Sequence, residues 1–186
     1  MLEEIIIAGF GGQGVLSMGQ TLAYSAMVEE KEVSWMPSYG PEMRGGTANC
    51  ITIVADSPIS SPIINNFDTA IVLNQPSMEK FESLVKPGGI IVYESTNIIH
   101  SSERKDIEIY AIPAAEEANK LNNAKVANMI MLGAYLAKKP IVKFDSIIEA
   151  LKKVLPERYH GLLPLNRQAL EAGQELLKNI MVTAVS

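Results

Sequence analysis

Residues 5–14, with the sequence IIIAGFGGQG, decide the fold of this chain. The apolar run at residues 5–8 is typical of a strand buried on both faces, and the glycines after it match the pattern G-x-G-x-x-G between Gly9 and Gly14. The next segment, residues 14–28, carries apolar residues at helical spacing. A strand, a glycine-rich turn and a helix in this order predict the first unit of an α/β fold.

The rest of the chain alternates between strand and helix patterns. Further strands are predicted near residues 33–36, 48–54, 69–73, 90–93 and 107–112, and helices over residues 76–85, 114–138, 145–155 and 165–178. This alternation predicts right-handed crossovers, a largely parallel Rossmann-like sheet with flanking helices, and a helical C-terminal third. Neither a repeat nor a linker divides the sequence, so residues 1–186 are predicted to form a single domain.

The composition excludes some classes of partner. The 186 residues are 47% hydrophobic and 20% charged, which is ordinary for a globular protein, and the formal net charge is -5. An acidic chain has no overall attraction for nucleic acid or for an anionic membrane. Every apolar run is interrupted by a charge, Gly or Pro before it reaches membrane-spanning length. We therefore expect a cytoplasmic protein that binds neither nucleic acid nor a membrane.

The residues that carry redox, metal and nucleophilic chemistry are scarce. Cys50 is the only cysteine, so the chain has no internal disulfide and no ligand set for an iron–sulfur cluster or a zinc site. Its position within an apolar strand favours a buried packing thiol. Neither of the only histidines, His100 and His160, has a Glu or His at ligand spacing on a predicted helix. The sequence predicts no catalytic residue and no metal site.

The glycine loop, residues 9–14, predicts a site for a phosphate or a carboxylate. Glycines let the backbone approach an anion closely, and the helix that follows offers unpaired N–H groups and a partial positive charge. The alternative is that the glycines only fit a tight turn. A bound NAD is disfavoured, because residues 36–38 at the end of the second strand include no acid for the ribose. The candidate ligand-binding residues are Gly9, Gly11, Gly12, Gln13 and Gly14.

A second loop, residues 38–46 with the sequence SYGPEMRGG, follows the second predicted strand and should lie at the same edge of the sheet. Arg44 offers a planar fork for phosphate or carboxylate, and Glu42 can orient it or face a partner chain. A structural Glu–Arg pair in a glycine-rich turn is the alternative. The candidates for binding are Ser38, Tyr39, Gly40, Glu42, Arg44, Gly45 and Gly46.

Together, the two loops identify a family. The segments at residues 9–15 and 38–46 resemble those of the gamma subunit of 2-oxoacid:ferredoxin oxidoreductases. The resemblance continues through residues 74–77 (NQPS), 86–89 (KPGG) and 128–134 (NMIMLGA), and so covers nearly the whole chain. Residues 34–39 (SWMPSY) are most similar to the 2-oxoglutarate and 2-oxoisovalerate members.

The resemblance implies a role in an oxidoreductase complex of anaerobic metabolism. Such a complex decarboxylates a 2-oxoacid oxidatively, reduces ferredoxin and releases an acyl-CoA. The chain would meet alpha, beta and ferredoxin-like delta subunits, and ferredoxin only indirectly. Thiamine diphosphate and the iron–sulfur clusters are expected on those partner subunits, whereas this chain would help to bind coenzyme A. Alone, it is expected to be inactive, and a homodimer is one expected state.

Two alternatives remain open at this point. The chain could be an interface subunit without a ligand, in which both loops contact the alpha subunit. It could also be a stand-alone nucleotide-binding enzyme, in which case the purified chain would bind NAD or a flavin.

Overall fold

The computed structural model describes residues 1–39 and 47–183. The strands are β1 (Leu2–Phe10), β2 (Glu32–Tyr39), β3 (Thr47–Ala55), β4 (Phe67–Val72), β5 (Val85–Glu94) and β6 (Glu108–Ile112). The α-helices are α1 (Val15–Val28), α2 (Gln75–Phe81), α3 (Ala114–Lys120), α4 (Ala127–Lys138), α5 (Phe144–Val154) and α6 (Leu163–Thr183). Short 3₁₀ turns lie at Glu82–Leu84, Ala124–Val126 and Glu157–Leu162.

The described strands form one six-stranded sheet in the order β2-β3-β1-β4-β5-β6. The pairs β1–β4, β4–β5 and β5–β6 are parallel, which confirms the predicted α/β fold with a largely parallel sheet. β3 runs opposite to the other strands, because it pairs antiparallel with both β1 and β2. β2 and β3 are therefore antiparallel neighbours at one edge of the sheet.

β2 is longer than the sequence predicts. The prediction ended this strand near residue 36 and began a loop at Pro37, whereas β2 continues to Tyr39. Proline lacks the N–H that a ladder needs, but β2 is an edge strand, and an edge strand has no partner on one side. Pro37 pairs with Cys50 of β3 in the register of the two strands.

The sheet is covered by helices on both faces, but unequally. On one face, α1, α4, α5 and α6 share a large apolar core with the sheet, in which Met18, Leu22 and Tyr135 are fully buried. On the other face, α2 places Met78 and Phe81 against β1, β4 and β5. The helix after β1 and the helix after β4 thus lie on opposite faces of the sheet.

The predicted helix over residues 114–138 is interrupted. α3 ends at Lys120, and Asn122 adopts a left-handed backbone with φ 55°. The side chain of Asn123 then accepts a hydrogen bond from the N–H of Lys125 (3.1 Å), so a 3₁₀ turn forms before α4 begins. Asparagine tolerates the left-handed region and bonds nearby backbone, which explains the break. The turn places Lys125 at the edge of the sheet where β1 ends.

Two glycines allow α4 and α6 to cross closely. A Cβ atom on Gly133 would collide with the carbonyl oxygen of Leu170, and a Cβ on Gly173 would collide with that of Ile130. Neither backbone can move away without separating the helices. α6 spans 21 residues, yet within residues 1–39 and 47–183 no helix is long and apolar enough to cross a membrane.

Candidate functional site

The glycine loop joins β1 to α1 through two residues with positive φ. Gly12 has φ 98° and Gly14 has φ 77°, conformations that residues with a side chain rarely adopt. Gly14 is the N-cap of α1, and its carbonyl oxygen accepts the bond from the N–H of Met18 (2.9 Å). The strand–loop–helix unit predicted from the sequence is confirmed.

The start of α1 offers positive charge without an acidic competitor. Because the bond from Met18 opens the helical ladder, the N–H groups of Val15, Leu16 and Ser17 precede it and are free of intrahelical partners. The first turn of this 14-residue helix contains no acidic residue. These N–H groups and the helix dipole together form an environment that favours an anion.

Asn128 connects this helix start to α4. Its Nδ2 donates to the carbonyl oxygen of Gly14 at 3.4 Å, and its Oδ1 accepts from the N–H of Met129 at 2.9 Å. A Cβ atom on Gly14 would lie 2.5 Å from that Nδ2. Two features therefore require glycine at position 14: the left-handed backbone conformation and the closeness of the Asn128 side chain.

A cavity of about 380 Å³, here called the Lys125 cavity, opens in front of this helix start. One end is polar and is formed by the glycine loop, Ser17, Lys125 and Asn128. The other end is mostly apolar and is formed by residues of α5, the 3₁₀ turn at 157–162 and α6. That end consists of Leu151, Leu155, Tyr159, Leu162 and Asn166.

The polar end carries one unpaired cation. Lys125 is exposed, and among the residues that the structure describes it forms no ion pair. By contrast, Lys120 on the neighbouring helix α3 is bound to Glu117 at 2.7 Å. An unpaired ammonium group beside a helix N-terminus complements a ligand with one or more phosphate groups.

A smaller cavity of about 180 Å³ lies on the other side of Lys125 and Gly12. Its lining includes Gln13, Leu73 and Glu94, at the ends of β1, β4 and β5. Glu94 is 2% exposed, and its carboxylate accepts bonds from the N–H groups of Asn97 (2.8 Å) and Ala115 (3.0 Å). This carboxylate therefore fixes the start of α3 beside the loop rather than standing free for catalysis.

A wider groove of about 490 Å³ lies between α5 and α6. Arg167 in this groove is already bound to Asp145 at 2.6 Å. Lys152 and Lys153 share the groove with Glu149, so its charges are mixed. The groove has no glycine loop and no converging N–H groups, and we interpret it as ordinary charged surface despite its size.

The residues predicted to bind a ligand have different surroundings in the structure. Gly12 and Gly14 line the Lys125 cavity, whereas Gly11 is a loop residue that does not. Gly9 and Gln13 pack against each other, since a Cβ on Gly9 would lie 2.6 Å from Gln13 Oε1. A ligand role for these residues stays a prediction.

The described part of the second predicted loop, Ser38 and Tyr39, lies at the expected edge of the sheet, two strands from the first loop. Tyr39 pairs with Ala48, and Ala48 pairs with Gly9, so the end of β2 and the end of β1 lie in one row across the sheet. Ser38 is exposed in β2. The remaining predicted residues, Gly40, Glu42, Arg44, Gly45 and Gly46, lie outside the described residues, and their role stays a prediction.

Sequence reasoning missed the residues that complete the polar end. Ser17 carries no local signal beyond its place in the first turn of α1, and Lys125 lies in a segment predicted to be mid-helix. Asn128 begins the stretch NMIMLGA, which contributed to the family resemblance but received no role. The proximity of Lys125 and Asn128 to the glycine loop arises only from the packing of α4 against α1.

Cys50 is a packing residue beneath the site, as predicted. It is fully buried, and burial raises the pKa of its thiol to about 12. Its Sγ donates to the carbonyl oxygen of Val15 at 3.7 Å, and Gly19 of α1 lies directly over it. A thiol held in its protonated form is a poor nucleophile and a poor metal ligand.

Comparison with protein families gives the class of this protein. Residues 4–176 match the model of the family described as pyruvate ferredoxin/flavodoxin oxidoreductase. The chain belongs to this family.

The similar proteins include subunits of several 2-oxoacid enzymes. The chain is 41% identical to ketoisovalerate oxidoreductase subunit VorA of Methanothermobacter thermautotrophicus over 92% of its own length, but it spans only 36% of that protein. It is 30% identical to 2-oxoglutarate synthase subunit KorC of Methanocaldococcus jannaschii, over 97% of this chain and 96% of KorC.

Comparison with solved structures leads to the same family as these two relatives. The fold is similar to that of the keto/oxoacid ferredoxin oxidoreductase gamma subunit from Geobacter sulfurreducens, with a TM-score of 0.82 and 26% identity. The match covers 96% of this chain and 98% of that one. The resemblance to gamma subunits that the two loops indicated is confirmed.

Proposed function

We propose that this chain is the gamma subunit of a 2-oxoacid:ferredoxin oxidoreductase and that it holds coenzyme A for the complex. The complex would convert a 2-oxoacid and coenzyme A into an acyl-CoA and carbon dioxide, with reduction of ferredoxin. The observation that carries the proposal is the Lys125 cavity, in which free N–H groups of a helix start and an unpaired lysine share one end.

The chemistry of coenzyme A fits the two ends of this cavity. The molecule has several phosphate groups at one end and a long, uncharged pantetheine arm at the other. The phosphates suit the helix start, Ser17 and Lys125, because charge-assisted hydrogen bonds to N–H and ammonium groups are stronger than neutral ones. The arm suits Leu151, Leu155 and Leu162, which offer apolar surface to its methylene groups. Gly12 adds no side chain to the space before the helix, and a Cβ there would meet no other atom within 4 Å.

The role of the chain in the reaction is to bind and orient. Cys50, the only cysteine, is buried, so the chain contributes no accessible thiol of its own. Thiamine diphosphate and iron–sulfur clusters would belong to alpha, beta and delta partner subunits, where the decarboxylation and electron transfer occur. The likeness to VorA and KorC favours a branched-chain 2-oxoacid or 2-oxoglutarate as the substrate.

Kinetics of the assembled complex test the proposal. Lys125→Ala is expected to raise the apparent KM for coenzyme A roughly ten-fold, because one charge-assisted bond to a phosphate is lost. The KM for the 2-oxoacid and the kcat at saturating coenzyme A should stay within about two-fold of the wild-type values. The lost interaction stabilises the ground state and the transition state equally, so its loss affects binding and not the chemical step.

A nearby lysine provides the matched control. Lys120→Ala removes the same kind of side chain from α3, outside the cavity, and should leave the KM for coenzyme A unchanged. If both variants have the KM of the wild type, the cavity does not hold coenzyme A, and the role of an interface subunit remains. Binding of NAD or a flavin by the purified chain would instead favour a stand-alone enzyme.

A further inference from the structure

The side chain of Gln13 spans the gap between the ends of β1 and β4. Its Oε1 accepts a hydrogen bond from the N–H of Phe10 at 2.6 Å, and its Nε2 donates to the carbonyl oxygen of Leu73 at 3.2 Å. The N–H of Gln13 also donates to the carbonyl oxygen of Phe10 at 3.2 Å. Both the backbone and the side chain of one residue thus stabilise the turn.

This gap is the topological switch point of the sheet. The helix after β1 and the helix after β4 pack on opposite faces, and open α/β sheets commonly bind ligands in the crevice that forms there. In this protein the crevice is bridged by Gln13. A ligand that needed the N–H of Phe10 would have to displace that side chain.

Gly9 makes the bridge possible. A Cβ atom on Gly9 would lie 2.6 Å from Gln13 Oε1, 3.0 Å from Val15 Cγ2 and 3.1 Å from Leu73 Cβ. The φ of Gly9 is not in the left-handed region, so the glycine is required by space and not by backbone conformation. The first glycine of the loop therefore provides room for Gln13.

The bridge also determines which side of the loop is open. The Lys125 cavity is lined by Gly12 and Gly14 but not by Gln13, which borders only the smaller cavity beyond Gly12. Ser17, the last residue whose N–H precedes the helical ladder, lines the Lys125 cavity together with Lys125 and Asn128, so the loop is open on that side.

We propose that Gln13 is a positioning residue, which closes the crevice between β1 and β4 and holds the glycine loop in the conformation that presents its N–H groups to the Lys125 cavity. This inference rests on the proposed function for the identity of the ligand, coenzyme A. The loop geometry itself does not depend on that identity. Gln13 would then act on binding through the loop and not by contact with the ligand.

Gln13→Met tests this, because methionine has a similar size but cannot make either bond. Gln20→Met, the same substitution within α1 and away from the loop, is the matched control. Two quantities are measured on the assembled complex: amide hydrogen exchange of the peptide covering residues 9–15 without ligand, and the dissociation constant for coenzyme A by calorimetry. Melting temperatures check that both variants fold.

We expect Gln13→Met to exchange faster in residues 9–15, by roughly 2- to 12-fold for each hydrogen bond lost, and to bind coenzyme A more weakly by a similar factor. Gln20→Met should match the wild type in both measurements. Gln13→Glu retains an acceptor for Phe10 N–H but not the donor to Leu73, so its exchange should lie between that of the wild type and that of Gln13→Met.

Weaker binding with unchanged exchange would overturn the proposal, because Gln13 would then contact the ligand directly. Faster exchange with unchanged affinity would overturn it too, since the loop conformation would not matter for binding. If even the wild type fails to bind coenzyme A, the proposed function fails, and the exchange data alone decide whether Gln13 holds the loop.

Discussion

Replacing Gly14 by alanine should damage the start of α1 through two separate effects. The backbone at this position has φ 77°, and a residue with a Cβ atom in that region costs about 1–2 kcal/mol. The new Cβ would also lie 2.5 Å from Asn128 Nδ2 and 2.9 Å from its Cγ. Asn128 must then rotate away and give up its bonds to Gly14 and Met129, each with a net contribution of about 1 kcal/mol.

These effects sum to about 3 kcal/mol for Gly14→Ala, which corresponds to a fall in melting temperature of about 6–12 °C for a domain of this size. Urea unfolding followed by the fluorescence of Trp35, the only tryptophan, measures the loss directly. A loss below about 1 kcal/mol would show that neither the backbone conformation nor the contact with Asn128 restricts this position.

A double-mutant cycle with Asn128→Ala separates the two effects. In the Asn128→Ala variant, the further change Gly14→Ala costs only the free energy of the backbone strain. The double variant should therefore be more stable than the sum of the single variants predicts, by about 2 kcal/mol, because each single variant already loses the same two bonds of Asn128. Additive losses would refute the idea that Gly14 is glycine partly because of Asn128.

Three further outcomes follow from the structure and the sequence. Gly173→Ala should destabilise the fold by roughly 2 kcal/mol or more in urea unfolding, because the new Cβ would meet the backbone of α4. Gly161→Ala, with open space around it, should be nearly neutral. Equal effects of the two substitutions would contradict the close helix crossing. Cys50, whose pKa is raised to about 12 by burial, should resist alkylation at pH 8 in the native protein and react once it is unfolded, and rapid native labelling would be inconsistent with that burial. Arg44→Ala, a test from sequence alone, should weaken binding of coenzyme A by the complex in calorimetry, and unchanged affinity would remove Arg44 from the predicted site.

Local patterns in the sequence were sufficient to predict the first unit of the fold, which consists of β1, the glycine loop and α1. The apolar run before Gly9 and the helical spacing after Gly14 are signals within one short segment, and both elements form where they were predicted. The placement of β3 between β1 and β2 was missed, because strand order depends on pairing between distant segments. The extension of β2 through Pro37 was also missed, since only knowledge of the strand order shows that β2 is an edge.

Of the candidate site, only the backbone of the glycine loop could be predicted from the sequence. Glycines at fixed spacing predict a turn whose backbone can approach an anion, and Gly12 and Gly14 do have the positive φ that such a turn requires. The side chains that complete the cavity come from α1, from the turn before α4 and from the C-terminal helices. Lys125 lies more than a hundred residues from the loop, and the break at Asn122 that places it was hidden within a continuous helical pattern. Gln13, one of the predicted ligand residues, bonds the ends of β1 and β4, and the sequence did not predict these contacts.

The most direct test of the central claim is amide hydrogen exchange of the assembled complex with and without saturating coenzyme A. If phosphate groups of the ligand occupy the N-terminal end of α1, exchange in residues 11–17 and 123–129 should slow on binding, while the groove at Asp145 and Arg167 stays unchanged. Slower exchange elsewhere in the complex, with residues 11–17 unaffected, would show that coenzyme A binds at another site and that the glycine loop of this chain has a different purpose.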